Sequence, residues 1–295
     1  MGGNVFGWSA DEKESFAVLD AYIEAGGNFI DTADVYSEWK DGNAGGESET
    51  IIGKWMKARG NRSEMVIATK VSMLSTRPGL SASNIKAAVD DSLRRLHSDY
   101  IDLYYSHQWD EKVEQTETLA TYGELIASGK VRYIGASNFS GAQLRDSFAL
   151  SEANGYPAYI ALQNNYNLVH RSEFESDVAP VVNECGISAI PYFGLARGFL
   201  TGKYRQGTSV ESVRAGGVTD FLTPQGFAVV DALEEIARSR GTSIAAVALG
   251  WIRSNTAVST PIASARTVEQ LKEIMPVVNL DASEKSELDQ LSEGL

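Results

Sequence analysis

Short runs of β-branched and aromatic residues alternate along the chain with longer segments whose apolar residues recur every three or four positions. The short runs predict buried strands, and the longer segments predict helices that turn one apolar face to a core. We expect strands at 28–33, 66–71, 100–107, 131–137, 158–164, 187–193 and 258–263. Regular alternation without a Pro- or Ser-rich linker is typical of repeated βα units, so we expect a single domain over residues 1–295.

The helical segments carry stripes that we expect to face the core: Phe16, Leu19 and Ile23; Ile85, Val89, Leu93 and Leu96; Leu233, Ile236 and Ala237. A Gly-rich loop at 194–226 separates the sixth strand from two further predicted helices at 227–240 and 243–254. We interpret this stretch as one βα unit enlarged by a long loop and an extra helix, because unstructured loops of that length usually carry function.

Two architectures fit such a pattern, an open doubly wound sheet and a closed (β/α)8 TIM barrel. The first predicted strand and its helix lack the G-x-G-x-x-G turn of a dinucleotide-binding open sheet. Polar residues end nearly every predicted strand: Asp31, Lys70, His107, Ser137 with Asn138, Gln163 and Tyr192. In a barrel these ends meet on the face that carries active sites, so we predict a (β/α)8 barrel.

The N-terminus begins on a Gly-rich turn at residues 2–7 rather than on a strand. The seven predicted strands leave one strand of the barrel unassigned, and this turn looks like the loop that would follow that strand. We therefore expect the strand that begins the barrel, or an N-terminal hairpin with it, to be missing from the sequence.

The charge balance of 26 Lys and Arg against 39 Asp and Glu gives a net charge of −13, which disfavours nucleic acid as a partner. An anionic ligand would need a local cluster of cations or a helix N-terminus. The sequence has no secretory leader and no apolar run of about 18 residues, so we predict a cytoplasmic protein without a membrane partner. One cysteine excludes a cysteine-rich zinc site, and three histidines leave only a mixed histidine and carboxylate metal site possible; we predict no metal.

Three of these polar residues, Asp31, Lys70 and His107, form a coherent set for donating a proton together with Tyr36, which lies in the loop after the first predicted strand. A tyrosine with a pKa near 10 is a poor donor until a neighbouring cation favours its phenolate, and Lys70 could be that cation for Tyr36. Asp31 would hold the ammonium, while His107 could donate a hydrogen bond to the oxygen that takes up the proton. The set lacks a nucleophile with an adjacent base, so it favours protonation of an alkoxide over acyl transfer.

The order of motifs resembles that of the aldo-keto reductase family, which includes the potassium-channel β subunits, over residues 2–280. The matching segments are Asp31-Thr32-Ala33 with Tyr36, Gly46-Glu47-Ser48-Glu49, Lys70, His107, Gly135-Ala136-Ser137-Asn138-Phe139, Gln163-Asn164-Asn165-Tyr166-Asn167 and Gly198-Phe199-Leu200-Thr201-Gly202-Lys203-Tyr204. The resemblance implies a barrel that reduces aldehydes or ketones with NADPH. It also implies Tyr36 as general acid, tuned by Lys70 and Asp31, with His107 orienting the carbonyl.

The same resemblance implies a set of cofactor-binding residues. Ser137, Asn138 and Gln163 would bind the nicotinamide carboxamide, and Tyr192 or the adjacent Phe193 would stack on its ring. The pyrophosphate would meet Gly194, Leu195, Arg197, Gly198 and Lys203, and the adenosine end would meet Ser264, Arg266, Gln270 and Glu273. Arg266 beside a helix start capped by Thr267 suits a 2′-phosphate, so we expect NADPH rather than NADH.

Two departures from the family pattern lie in these segments. Tyr192-Phe193-Gly194-Leu195 stands where many members have Ser-Pro-Leu, and Ile274 stands where Asn often follows Glu273. The first departure indicates a subgroup with an altered cofactor loop.

Trp8, Trp39 and Trp109 fall in loops near the predicted centre, where aromatic walls would favour apolar or aromatic carbonyl substrates. Packing of surface loops explains the three tryptophans equally well. Two other functions stay open, a nicotinamide-binding regulatory or sensor subunit and an alcohol dehydrogenase working in the oxidative direction. The intact set of Asp31, Tyr36, Lys70 and His107 favours catalysis over a pure binding role.

Overall fold

The computed structural model describes residues 1–205 and 215–295. Its strands are β1 Phe29–Asp31, β2 Val66–Val71, β3 Ile101–Ser106, β4 Val131–Ser137, β5 Ala161–Gln163 and β6 Ser188–Ala189. Its α-helices are α1 Glu12–Glu24, α2 Glu47–Arg59, α3 Ala82–Leu96, α4 Gln115–Ala127, α5 Gly141–Asn154, α6 Ala179–Glu184, α7 Pro224–Arg240, α8 Ile244–Arg253, α9 Val268–Ile274 and α10 Ala282–Leu291. Within the described ranges, no helix has the length and apolar character needed to cross a membrane.

Contacts within the chain cluster into two compact parts, residues 1–163 with 264–271 and residues 164–263 with 272–295. The first part contains a parallel sheet in which β1 to β5 are hydrogen-bonded in sequence order. Helices α2 to α5 each return the chain between consecutive strands, which is why neighbouring strands run parallel. The first five predicted strands are confirmed, most of them shorter than predicted.

This five-stranded sheet is strongly curled. Neighbouring strands lie about 4.8 Å apart, so β1 and β5 would be about 19 Å apart in a flat sheet. Instead, the side-chain amide of Gln163 at the end of β5 donates a 2.9 Å hydrogen bond to Asp31 Oδ1 at the end of β1. Two side chains cannot span the flat separation, so the carboxyl ends of the outer strands curve toward each other.

Residues at the N-terminus continue the parallel pattern beside β1. Gly2 and Asp31 form a parallel bridge, with the Asp31 N–H donating to the Met1 carbonyl at 2.8 Å and the Gly3 N–H donating to the Asp31 carbonyl at 2.7 Å. Residues 1–3 thus lie where a strand adjoining β1 would lie. The eight-stranded barrel and the missing first strand stay predictions.

Capping residues and apolar stripes in the sequence explain where the helices begin and which side chains they bury. Ser81 caps α3, and the buried residues of that helix include Ile85, Val89 and Leu96 as predicted, whereas Leu93 is only half-buried. The stripe predicted for the first helix is partly wrong.

In α1 Leu19 is buried, but Phe16 and Ile23 are half-buried, and Val18 and Tyr22 are buried instead. The Phe16 ring lies at the helix surface under the Arg59 guanidinium, 5.8 Å away.

The second part is mainly helical. Helices α7 and α8 confirm the two predicted after the Gly-rich loop, and Leu233, Ile236 and Ala237 are buried in α7 as expected. Residues 206–214 of that loop lie outside the described residues.

The last two strand predictions need correction. The sixth strand covers two residues of the predicted 187–193, and 258–263 is not a strand in the described structure. Single contacts remain there, a bridge between Ala189 and Val258 and a 2.8 Å hydrogen bond from the Ile262 N–H to the Pro191 carbonyl. Pro191 and Pro261 have no N–H to donate, which interrupts a regular ladder.

Candidate active site

The sheet brings together the four predicted catalytic side chains, Asp31, Tyr36, Lys70 and His107, which we call the tetrad. Asp31 is the last residue of β1, Lys70 is the last but one of β2, and His107 directly follows β3. Tyr36 lies five residues beyond β1 in the following loop. Because parallel strands end at one edge, residues from separate βα units converge there.

Lys70 is the centre of the tetrad. Its side chain is fully buried, and its ammonium donates to Asp31 Oδ2 at 2.8 Å, to the Thr32 carbonyl at 2.8 Å and to the Tyr36 hydroxyl at 2.9 Å. Burial lowers the pKa of Lys70, while the Asp31 carboxylate opposes that effect. All three N–H bonds of the ammonium are used, so its orientation is fixed.

The Tyr36 hydroxyl therefore lies against a cation. It is half-buried and also lies 3.3 Å from Asp31 Oδ2, to which it can donate. The Lys70 ammonium is also 4.6 Å from the centroid of the Tyr36 ring. A positive charge at this distance stabilises the phenolate more than the phenol, which makes Tyr36 a better proton donor than a free tyrosine.

His107 is an uncharged member of the tetrad at neutral pH. Its ring lies 6.0 Å from the Tyr36 ring, centroid to centroid, at an interplanar angle of 69°. Burial, and then the nearby Lys70 charge, hold the pKa of His107 well below its usual value, so the imidazole is uncharged at neutral pH. A neutral imidazole carries one N–H, which can donate to a carbonyl oxygen without competing for the proton.

Asn138 and Gln163 bind groups of the tetrad, and Ser137 in turn binds Gln163. Ser137 Oγ donates to the Gln163 carbonyl at 2.7 Å, and the Asn138 amide donates to the His107 carbonyl at 2.9 Å. The Gln163 amide donates to Asp31 Oδ1 at 2.9 Å. Asn138 is exposed, whereas Ser137 and Gln163 are buried. Their binding of a carboxamide stays a prediction, and the support of Asp31 by Gln163 is a role that the sequence did not reveal.

Of the three predicted pocket tryptophans, Trp39 lies beside the tetrad, and Trp8 packs against Trp39. The Trp39 ring is 5.7 Å from the Trp8 ring and 6.1 Å from the Tyr36 ring, centroid to centroid. Trp39 is 49% exposed, so part of its side chain is accessible to a ligand. Trp109 packs edge-on against Phe139 at 5.3 Å.

Hydrogen bonds fasten the loops that carry Trp8 and Trp39. Ser37 Oγ donates to the Phe6 carbonyl at 2.7 Å, and the Asn43 amide donates to the Gly7 carbonyl at 3.1 Å. These bonds hold the N-terminal loop against the loop after β1, so the two indoles have a fixed relative position.

Some of the residues predicted to bind the adenosine end of the cofactor belong to the first part of the chain. These residues lie around the start of helix α9. Gln270 N–H donates to Thr267 Oγ1 at 3.3 Å, and Gln270 Oε1 accepts from the Arg266 N–H at 3.0 Å. Helix α9 therefore begins beside Thr267, as predicted. Ser264 Oγ donates to Asn4 Oδ1 at 2.7 Å, and the Arg266 side chain is half-buried.

In the second part, the Tyr192 and Phe193 rings pack perpendicularly at 4.9 Å. The Arg197 guanidinium lies 4.8 Å from the centroid of the Phe193 ring. Phe193, Arg197 and Gly198 all have positive φ, of 56°, 57° and 96°, so the backbone from Phe193 to Gly198 is sharply turned. Burial raises the pKa of Tyr192.

Glycines make room for both cations of this loop. A Cβ on Gly198 would lie 2.9 Å from Lys203 Nζ, and one on Gly217 would lie 2.3 Å from an Arg197 guanidinium nitrogen. Gly194 is buried, and a Cβ there would lie 2.8 Å from Ile252 Cδ1. Leu195 is half-buried, and the side chain of Glu273 is exposed.

A cavity of about 320 Å³ lies beside Phe193 and Arg197 and is also lined by Asn165, Asn167 and His170. In the part of the chain that the structure describes, no group of three or more His, Cys, Asp and Glu residues is arranged to hold a metal ion.

The sequence model of the Aldo/keto reductase family matches residues 1–293. The chain belongs to the aldo/keto reductase family. This aldo/keto reductase is 32% identical to the oxidoreductase YrpG of Bacillus subtilis (strain 168), over 95% of this chain and 86% of that protein. It is also 32% identical to the protein Tas of Escherichia coli (strain K12), over 96% and 90% of the two chains. Norsolorinic acid reductase of Aspergillus flavus is 30% identical, over 93% of this chain and 70% of that protein.

These comparisons confirm the resemblance found in the sequence. The aldo/keto reductase is an oxidoreductase, and its family acts on carbonyl groups with nicotinamide cofactors.

Proposed function

We propose that this aldo/keto reductase reduces an aldehyde or a ketone to the alcohol, with NADPH as reductant and Tyr36 as the proton donor. The observation that carries the proposal is the 2.9 Å contact between the buried Lys70 ammonium and the Tyr36 hydroxyl. A purely structural tyrosine has no need of a cation whose every N–H bond is fixed. A proton donor needs such a cation, because it must leave a phenolate behind.

The proton follows a short path. The Tyr36 O–H bond breaks as the new O–H bond of the product alcohol forms, and the electron pair left on the phenolate faces Lys70. When bound, the reduced nicotinamide supplies the hydride that forms the new C–H bond at the carbonyl carbon. The neutral His107 imidazole donates a hydrogen bond to the carbonyl oxygen and turns that oxygen toward Tyr36.

Asp31 serves the proton transfer by holding Lys70. It accepts from the ammonium at Oδ2 and from the Gln163 amide at Oδ1, so neither oxygen can rotate away. The carboxylate offsets part of the cost of burying the Lys70 charge. Its charge also limits how far the phenolate is favoured, so Tyr36 stays protonated until the carbonyl accepts hydride.

The residues predicted for the cofactor have the chemistry that NADPH requires. The Arg197 and Lys203 side chains lie against Gly217 and Gly198, and two cations in a Gly-rich loop suit a pyrophosphate. Arg266 beside the start of α9 suits a 2′-phosphate, since a guanidinium can bind it through two hydrogen bonds. The amide oxygen of the exposed Asn138 side chain can accept a hydrogen bond from a carboxamide N–H.

The test compares Tyr36→Phe with the parent enzyme, by following oxidation of NADPH against a panel of aldehydes, ketones and quinones. We expect the variant to lose about 10²- to 10⁴-fold in kcat, because only the transferable proton is removed. NADPH binding, measured by quenching of tryptophan fluorescence, should stay at the parent level. Tyr133→Phe is the matched control, because Tyr133 is exposed and lies outside the tetrad.

Parent-like turnover in Tyr36→Phe would contradict the proposed mechanism. Tight NADPH binding without oxidation by any carbonyl in the panel would instead favour a regulatory or sensor subunit. Turnover of alcohols with NADP⁺ that far exceeds carbonyl reduction would favour the oxidative direction.

A further inference from the structure

A second buried carboxyl group, that of Asp34, lies next to the tetrad. Asp34 stands between Asp31 and Tyr36 in the loop after β1, and only 1% of it is exposed. Its backbone N–H donates to the Lys70 carbonyl at 3.2 Å, which fixes the loop against the end of β2. The backbone of Asp34 is thus hydrogen-bonded to Lys70, the residue that activates Tyr36.

Other buried carboxylates of the first part are fully partnered. Glu49 accepts from Thr69 Oγ1 and from Arg95 Nε, both at 2.6 Å. Asp31 is held by Lys70 and Gln163. In contrast, no side chain among the described residues donates a hydrogen bond to either carboxyl oxygen of Asp34, although the Val35 backbone N–H favours its charged form. A buried carboxyl group without such partners is costly, and packing alone would favour an apolar residue there.

The groups that interact electrostatically with Asp34 come from every element around it. They are Lys70 from β2, Arg77 from the loop after β2, Glu49 from α2, Arg95 from α3, Tyr104 from β3 and Tyr122 from α4. Burial raises the pKa of both tyrosines well above the usual range, so they stay neutral. The charged neighbours are therefore one carboxylate and three cations.

The balance among these groups leaves the Asp34 carboxyl able to ionise near neutral pH. Burial, and then the Glu49 charge, raise the pKa of Asp34 to about 7, although Arg95 and Arg77 act in the opposite direction. Arg95 is already bound to Glu49, and Arg77 forms an ion pair with Asp91 at 2.9 Å. Lys70 is the third cation of this group and belongs to the tetrad. The Asp34 charge acts to raise the pKa of Lys70.

We propose that Asp34 is a positioning residue whose carboxylate acts through space on the Lys70–Tyr36 pair, keeping the ammonium charged and the Tyr36 hydroxyl protonated. This inference rests on the proposed role of Tyr36 as proton donor. In both groups the anion favours the protonated form, because a nearby anion stabilises an ammonium and destabilises a phenolate. Asp34 acts without touching the substrate, and its carboxylate extends the alkaline range in which the enzyme can donate a proton.

The test is the pH profile of kcat for carbonyl reduction in Asp34→Asn, a substitution of nearly equal shape that cannot ionise. We expect the alkaline limb to move to lower pH by on the order of one unit, because the anion that holds both protons in place is gone. NADPH affinity should not change. Asp34→Glu, which keeps the charge, should restore the parent limb.

Asp41→Asn is the matched control, since it removes an exposed carboxylate from the same loop region. If Asp34→Asn fails to fold, the smaller Asp34→Ser gives the same test with the same expected shift. An alkaline limb that superimposes on that of the parent, in either neutral variant that folds, would overturn the assignment.

Tyr36→Phe measured in the same series separates the two proposals. Parent-like turnover of Tyr36→Phe would contradict the proposed function itself. An inactive Tyr36→Phe together with an unshifted pH profile of Asp34→Asn would contradict only the role proposed for Asp34.

Discussion

Replacing Asp34 by Asn should make the enzyme more stable at alkaline pH relative to the parent, and this gain should disappear as the pH falls. The cause is the burial of a carboxyl group whose pKa is raised from 3.8 to about 7. In the unfolded chain that group ionises freely, whereas in the folded chain it holds its proton. The folded state of the parent therefore loses stability as pH rises between these two values.

The size of the effect follows from the two pKa values. A carboxyl group with the folded pKa of about 7 and the unfolded value of 3.8 costs the folded state about 4 kcal/mol at high pH, at about 1.4 kcal/mol per pKa unit. Between about pH 5 and about pH 8 the cost grows by roughly 2–3 kcal/mol. An Asn amide buried at the same place has a cost of its own, but that cost does not vary with pH.

Thermal unfolding of parent and variant at several pH values measures the difference. At roughly 2 °C per kcal/mol for a chain of this size, the Tm of Asp34→Asn should gain about 5 °C on the parent between those two pH values. Asp41→Asn should follow the parent throughout. A Tm difference that does not change with pH would refute the reasoning, because it would mean that Asp34 titrates alike in the folded and unfolded chains.

Two substitutions test the cofactor and substrate predictions. Arg266→Ala should raise the Kd for NADPH by about 10- to 100-fold and that for NADH only slightly, since a charged bidentate contact to the 2′-phosphate is lost; equal weakening in a fluorescence titration would show that Arg266 does not contact that phosphate. Trp39→Ala should raise KM for aromatic ketones about tenfold and leave their kcat and the Tm near the parent values, because the indole is half-exposed beside Tyr36. An equal rise in KM for a short aliphatic aldehyde would argue against an aromatic wall.

Three members of the tetrad, Asp31, Lys70 and His107, were predictable because each stands at the end of an apolar run. Lys70 and His107 stand out on β2 and β3, where the preceding residues are buried. Parallel strands end at one edge, so a local pattern in each unit was enough to predict a common site. The 2.9 Å contact of Lys70 with Tyr36 and the 2.8 Å contact with Asp31 agree with that prediction.

The contacts that the sequence did not reveal depend on long-range geometry. Gln163 binds Asp31 across 132 positions, and the curl of the sheet that allows this contact leaves no mark in the local pattern. Asp34 looks like an ordinary polar loop residue in the sequence. Its burial arises from the packing around it of α2 and α3, which carry Glu49 and Arg95.

The second part was predicted less well because its strands are short. Pro191 and Pro261 cannot donate to a ladder, so apolar β-branched runs around them become extended chain with single bridges. Strand propensity and burial alone do not distinguish a regular strand from extended chain with single bridges.

Under the proposed mechanism, the hydrogen bond between Gln163 and Asp31 places catalysis late in the folding of the chain. During synthesis, Asp31, Tyr36, Lys70 and His107 all emerge before Gln163, yet the Asp31 carboxylate gains its second anchor only when β5 has joined the sheet. Contacts of such high sequence separation form after local helices and hairpins, because their loop-closure entropy is large. A nascent or partly unfolded chain therefore holds the proposed catalytic residues without the completed geometry of the site. In a refolding experiment we expect activity to recover with closure of the sheet from β1 to β5, after the helical signal has recovered.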